Sequence, residues 1–479
     1  MTSAVQRLAR SISGPQFFAI AFGSVVGVGW IVVMGDAVNR AGPVGTALAL
    51  GVGGLAVTLV ALCYAEMAAR LPAAGGEMVY AYELGGERHG ALAAYATGWT
   101  MALLYTAACA FEAISIGQLF GLLIPATKGT LLDHVLGQDV HLGSLTIGAG
   151  FAIGLAVLNS TGARATALAQ EWVTYGRLLM MLLFLGIAIA WAEPANLQPL
   201  IPGKSRGAQF GAFLGVLGTA PFWYAGFNVA ATAAEESGTS MRTAGRAVVI
   251  AVLAAAAFYI ALVLAVSAMA PRSVLVTLDL PAAQAFGVAM GSPTVARLVL
   301  ATAILGNLTA WNALLMAGSR VFFALGRAQL SPAGFARLGP ASTPVTGILI
   351  LTLVTLAVLP LGRGFILPIV NLTSVCFAIT YLITCLALLK LRRSGNVAAF
   401  TAPGGNFLVL AAAVSSVGIF LVAMIQPWLA GPGVPAEALA LAGWMAFAAV
   451  LWLVMRRSIL AVPHVVRARQ LRGDLVDKG

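Results

Sequence analysis

The chain has 479 residues, of which 60% are apolar and 9% charged, and a net charge of +11. No soluble domain covers so much apolar surface with so few charges, so the composition excludes a soluble enzyme and points to a polytopic membrane protein. The positive balance could suggest nucleic acid, but the basic residues sit between apolar stretches, where they act as a membrane-topology signal; no nucleic-acid partner is expected.

Taken in order, twelve apolar segments are each long enough to cross a bilayer, which takes about 20 residues. They run over 15–41, 43–69, 90–124, 144–161, 170–192, 209–235, 244–270, 295–325, 344–361, 365–390, 406–428 and 436–456. The run after Arg7 and Arg10 is too long for a signal peptide and lacks a small-residue cleavage pattern, so it should stay as the first span. With the N-terminus in the cytoplasm, inside segments hold 19 Lys and Arg and outside segments 7, with Arg177 inside a span. That bias places both termini in the cytoplasm and the chain in the cytoplasmic membrane. The outside loops 125–143, 193–208 and 271–294 are too small for separate domains, so residues 1–479 read as one transmembrane domain behind a cytoplasmic segment 1–14. The basic tail 457–479 reads as solvated and touching anionic lipid headgroups.

The first span is interrupted by Gly23-Ser24-Val25-Val26-Gly27-Val28-Gly29. Three glycines in seven residues cost about 1 kcal/mol each relative to Ala, so a span that only had to cross would not carry them. They let the helix unwind, which hydrocarbon tolerates only where backbone is buried in protein or lines a cavity. The exposed N-terminal end of the second half suits a carboxylate. The alternative is a close helix–helix contact through Gly23 and Gly27. In the sixth span Pro221-Phe222-Trp223-Tyr224-Ala225-Gly226-Phe227 makes a second break, because Pro221 removes a donor and Gly226 loosens the helix. Paired breaks five spans apart point to an inverted-repeat transporter with its site between them. The repeats would be 15–192 and 209–390, with 406–456 as two additional helices.

Glu112 lies in mid-span, where a carboxylate costs several kcal/mol unless paired, protonated or facing water. It reads either as a partner for a cationic substrate group or proton carrier, or as a structural pair with a hydroxyl or Arg177. Asp36 and Asn39, a helical turn or so apart, suit an outer gate or cap. Cys63, Cys109, Cys376 and Cys385 all fall in apolar segments, against a disulfide framework. The four histidines show no metal spacing, and no phosphate-binding loop, Ser-His-Asp set or Cys-x-x-Cys pair is present. An ATP-driven pump or membrane enzyme is thus unsupported, and neither cofactor nor metal is expected.

Four stretches in order resemble the amino acid–polyamine–organocation (APC) superfamily of permeases: the glycine break at 23–29; the stretch from Tyr64-Ala65-Glu66 through Gly75-Gly76-Glu77 to Tyr82; Phe222 to Phe227 followed by Glu235-Glu236; and Ser319-Arg320-Val321-Phe322-Phe323-Ala324-Leu325-Gly326-Arg327. The resemblance implies an all-α membrane protein of 12 transmembrane helices with the leucine-transporter-like 5+5 inverted repeat, discontinuous helices 1 and 6 and two extra C-terminal helices. It implies a secondary transporter or antiporter of amino acids or related amines working by alternating access. The N–H groups around Val26, Gly27, Val28 and Gly29 would hold a substrate carboxylate, carbonyls near Ser24, Phe222 and Trp223 would accept from the ammonium, and Trp223 and Tyr224, beside Gly226, would cover the side chain. Polyamines or cationic amines are the alternative substrates, and a non-transporting sensor on this fold is the alternative function.

Two features depart from the family. Arg177 stands where many members carry a lysine that can lose its proton, and arginine effectively cannot. It would act as a fixed charge at the coupling site, favouring exchange and leaving any proton dependence to Glu112. Glu235-Glu236-Ser237-Gly238 replaces the expected Asn-Pro.

Overall fold

The computed structural model describes residues 14–71, 76–161, 164–228, 240–339, 342–394 and 398–472. Pro72 to Gly75 and Glu235-Glu236 therefore lie outside the described residues. Apart from one small hairpin the chain is helical. Among the described residues eight helices are long and apolar enough to cross a membrane, and shorter apolar helices accompany them.

The first span comes in pieces. Helix α1 covers Gly14–Val25 and α2 covers Gly29–Val32. Helix α3, Met34–Arg70, holds both the end of the first span and the whole second one, folded back at Gly42. Gly42 has φ +72°, and a Cβ there would lie 2.4 Å from Pro202, so only glycine fits this reversal. Helix α4, Glu77–Leu123, bends at Gly86, φ +61°. It begins 13 residues before the expected 90, because the polar stretch ahead of the membrane is also helical.

The loop 125–143 contains β1, Leu131–Val135, and β2, Gln138–His141, paired antiparallel around Leu136-Gly137. Both turn residues have positive φ, as a tight two-residue hairpin requires. Helices α5, Leu142–Thr161, and α6, Arg164–Ala190, follow. The sixth span starts as α7, Arg206–Gly218, and α8, Ala220–Trp223. Helix α9, Met241–Ala268, is capped by the Ser240 hydroxyl, which accepts from Thr243 N–H. Two short helices, α10 (Arg272–Leu275) and α11 (Pro281–Ala289), lead into α12, Pro293–Arg327. The chain ends with α13 (Val345–Val358), α14 (Ile366–Arg393), α15 (Gly405–Ala430), α16 (Ala436–Ala461) and α17 (His464–Arg472).

Helix α4 is the central post, packed along α12 and α14, while α3 packs along α9. Trp99, Phe111 and Trp311 fill this interior. Large apolar residues point outward on the rim, among them Leu179, Val414 and Val454, as lipid-facing residues of a multi-pass membrane protein do. At one end Glu66 is fully buried and accepts from Arg70, from Arg392 and from Ala402 N–H at 2.8 Å, tying α3 to α14 and the chain before α15.

The tail corrects the sequence reading. Residues 464–472 do not hang in solvent but form α17, docked on α4 and α12. Arg467 is buried and donates to the Ala328 and Ile459 carbonyls, His464 stacks on Tyr82, and Arg472 pairs with Glu83. A charged donor satisfies backbone carbonyls that end α12 and α16, which composition alone does not reveal. Arg467→Ala removes both bonds, each worth about 1.5–3 kcal/mol for a charged donor. Trypsin cleavage at Arg469 should then speed up about tenfold or more, the factor set by ~1.4 kcal/mol, with melting of the helical core little changed; unaltered cleavage would mean that Arg467 does not hold the tail.

Candidate functional site

The first break is a local consequence of its glycines. Val26 N–H still reaches Phe22 O at 2.9 Å, but Gly27 N–H turns back to Val25 O at 3.0 Å, which ends α1. The helix restarts with Ile31 N–H on Val28 O, 2.9 Å, and Val33 N–H on Gly29 O, 2.8 Å, and runs on into α3. The N–H groups of Val28, Gly29 and Trp30 have no backbone acceptor among the described residues. A Cβ on Gly27 would meet Ala310 at 4.0 Å, an ordinary van der Waals distance, so Gly27 is not a close helix contact.

The carbonyls freed by the break are taken up by side chains from distant helices. Arg177 Nη2 on α6 donates to Gly23 O at 2.6 Å and Val26 O at 2.5 Å. Its Nη1 donates to Gly306 O at 3.3 Å and Thr309 Oγ1 at 3.2 Å on α12. Tyr259 on α9 donates to Val25 O at 3.0 Å. Glu112 is held by Asn307, whose Nδ2 donates to Glu112 Oε2 at 2.6 Å and to its carbonyl at 3.1 Å. Glu112 is thus paired, with an amide rather than with the hydroxyl or Arg177 considered from sequence. Gly306 and Asn307 are consecutive, so the buried guanidinium and carboxyl both attach to one turn of α12.

The second break meets the first. Gly226 has φ +107°, and a Cβ on it would lie 2.5 Å from Ser24 O. Phe222 lies over Gly29, with 3.1 Å from its ring to where a Gly29 Cβ would be, and packs edge-on against Phe111 at 4.8 Å. Trp223 packs on Tyr259, and its indole N–H is buried without a partner among the described residues. Tyr224 points elsewhere: fully buried, it donates to Leu50 O on α3 at 2.8 Å. The side chain adjoining the glycine break is therefore Phe222, with Trp223 one layer behind and Tyr224 turned onto α3.

At the far end of the first span Asp36 pairs with Arg40 at 3.0 Å, and Arg272 donates to Asn39 O at 2.7 Å. Among the described residues no group of His, Cys, Asp and Glu could hold a metal ion. Sequence reasoning missed Tyr259, Asn307 and Thr309. The last two had a signal: Gly306-Asn307-Leu308-Thr309 is a polar interruption in an apolar span.

The profile of a family described as amino acid permease matches residues 12–455. The chain belongs to that family, within the APC superfamily. It is 28% identical over 357 residues to a methylthioribose transporter of Bacillus subtilis, covering 71% of this chain and 74% of that protein. It is 27% identical over 391 residues to the branched-chain amino acid permease BcaP of Lactococcus lactis, covering 79% and 81%. It is 28% identical over 333 residues to the chloroplastic cationic amino acid transporter 9 of Arabidopsis thaliana, covering 67% and 56%. These are transporters, and this permease is a multi-pass membrane transport protein rather than an enzyme.

Two substitutions test the geometry. Gly226→Ala puts a Cβ against Ser24 O in a backbone region L-residues avoid, at a cost of about 1–3 kcal/mol. Arg177→Lys cannot reach four acceptors on two helices with one ammonium, and strands carbonyls at about 1–3 kcal/mol each. Both should lower the melting temperature of purified protein; wild-type melting in either would contradict the contacts described.

Proposed function

We propose that this permease moves an amino acid or related amine across the cytoplasmic membrane by alternating access, with the substrate between the two breaks. The observation that carries the proposal is the run of N–H groups at Val28, Gly29 and Trp30 without backbone acceptors among the described residues, starting a half-helix just past Gly27. Such a terminus binds a carboxylate through its donors and its dipole. Trp223 N–H, without a partner among the described residues, is a further donor. Carbonyls near Ser24, Phe222 and Trp223 would take the ammonium. Two discontinuous helices are the transporter arrangement in which half-helix ends hold charged substrate groups, which supports twelve spans in a 5+5 repeat with two helices added and both termini cytoplasmic.

Phe111 and Phe222 make an apolar wall and support an apolar side chain, the kind that the BcaP name describes for that relative. Glu112 already has Asn307 as a partner, which weakens the case for a cationic substrate. Arg177 occupies the coupling position with a charge it cannot release. The permease should therefore exchange or equilibrate its substrate without sodium, since a fixed guanidinium repels a cation from that pocket.

Counterflow in proteoliposomes loaded with branched-chain or basic amino acids tests the proposal. We expect counterflow with at least one of them, unchanged when potassium replaces sodium; sodium-driven accumulation would overturn the fixed-charge reading. A ligand at 100 times its Kd stabilises the protein by about 2.7 kcal/mol. Gly27→Leu should abolish that stabilisation while the protein still reaches the membrane, and retained affinity would move the site. Ligand binding without counterflow would make the protein a sensor.

A further inference from the structure

One buried carboxyl has no part in the site just described. Glu77 is the first residue of α4 and only 3% exposed. Unlike Glu66 and Glu83, it has no Lys or Arg within ion-pair distance among the described residues. Its carboxyl accepts instead from Tyr64 Oη on α3 at 3.0 Å and from Asn228 Nδ2 at 3.3 Å, in the first turn of α4. Two aimed donors and a helix N-terminus can hold such a group without a cation.

The partner Asn228 gives this arrangement a consequence. It lies two residues past Gly226, the backbone that rests on Ser24 O. Phe227, between them, packs on Tyr64 at 5.3 Å and on Tyr381 at 5.6 Å. Broken at Gly226, the chain here has no continuous helix behind it to fix its position. The polar tie to Glu77 and the aromatic contact of Phe227 are attachments that the described residues make on this side of the break.

We infer that Glu77 is a positioning residue for transport: through Tyr64 and Asn228 it seats the segment just past the sixth-span break on α3 and α4, and so sets how the two breaks meet. The inference rests on the substrate site proposed above. It differs from an ordinary packing role because Glu77 acts on the break through the two donors Tyr64 and Asn228.

The protein carries its own reporters. Cys63 adjoins Tyr64, Cys385 lies one turn from Tyr381, and both are fully buried. Cys109 and Cys376 are buried elsewhere and report whether the fold holds. Full-length permease in proteoliposomes is treated with N-ethylmaleimide, and each cysteine is followed by mass spectrometry in wild type, Glu77→Gln, Glu77→Ala and Asn228→Ala. Unseating Phe227 should raise labelling of Cys63 and Cys385 about tenfold or more in Glu77→Ala and Asn228→Ala, the effect of losing a buried acceptor or donor, with Cys109 and Cys376 unlabelled. Glu77→Gln keeps an acceptor of the same reach and should stay within about twofold of wild type.

Wild-type labelling in Glu77→Ala overturns the inference, as does Glu77→Gln behaving like Glu77→Ala. If Glu77→Ala exposes all four cysteines the variant has come apart, and Asn228→Ala decides: selective labelling of Cys63 and Cys385 supports the inference, and wild-type labelling overturns it. Substrate counterflow by wild type is run beside these. Its absence would refute the transport proposal and leave the labelling result standing on its own.

Discussion

A helix broken inside a bilayer frees backbone groups that lipid cannot satisfy, and Arg177 satisfies them here. Its guanidinium donates to two carbonyls of the unwound first span and to two oxygens on α12. Each of those carbonyls left alone would cost about 1–3 kcal/mol. The planar fork of arginine suits the task, since it presents several donors in fixed directions and keeps its charge. The same four bonds join α1, α6 and α12 at one point. The donors on its other side, Val28 to Trp30, have no backbone acceptor among the described residues. Arg177 and Tyr259 together thus take up the Gly23, Val26 and Val25 carbonyls of the break.

The other buried charges are handled by different means. Glu66 takes two arginines and a backbone N–H near the end of α3. Glu112 takes an amide from Asn307, which brings no counter-charge and so leaves the pair without strong Coulomb attraction. Glu77 takes a phenol, an amide and a helix N-terminus. Desolvating a charge is costly, and removing one partner costs more than the pair contributes. These clusters therefore act mainly as fixed joints: Glu66 between α3 and α14, Glu112 between α4 and α12, Glu77 between α3, α4 and the sixth span.

The two breaks are not equivalent. The first presents the backbone N–H groups of Val28 to Trp30; the second presses its Gly226 backbone onto Ser24 and brings Phe222 over Gly29. Backbone chemistry is common to every amino acid, while the wall made by Phe111 and Phe222 can change with sequence.

Much of the fold was legible because its signals are local. Apolar run length located α5, α15 and α16 to within a few residues of Leu142–Thr161, Gly405–Ala430 and Ala436–Ala461. Gly27 and Pro221 marked both breaks, since unwinding follows from the residues at the break themselves. Arg177 and Glu112 stood out as charges in apolar runs. Their partners did not: Asn307 lies 195 residues from Glu112, and Gly306 lies 129 from Arg177. Nothing in helical periodicity says which distant residue faces a given side chain. For the same reason Tyr224 could be placed beside the break but not turned onto α3, and the basic tail could be counted but not docked through Arg467. The sequence by itself determined that long apolar helices dominate the chain and where two of them unwind, because these depend on transfer energies and backbone freedom residue by residue. Only the tertiary structure decided which groups satisfy the unwound backbone, because that depends on which helices lie side by side.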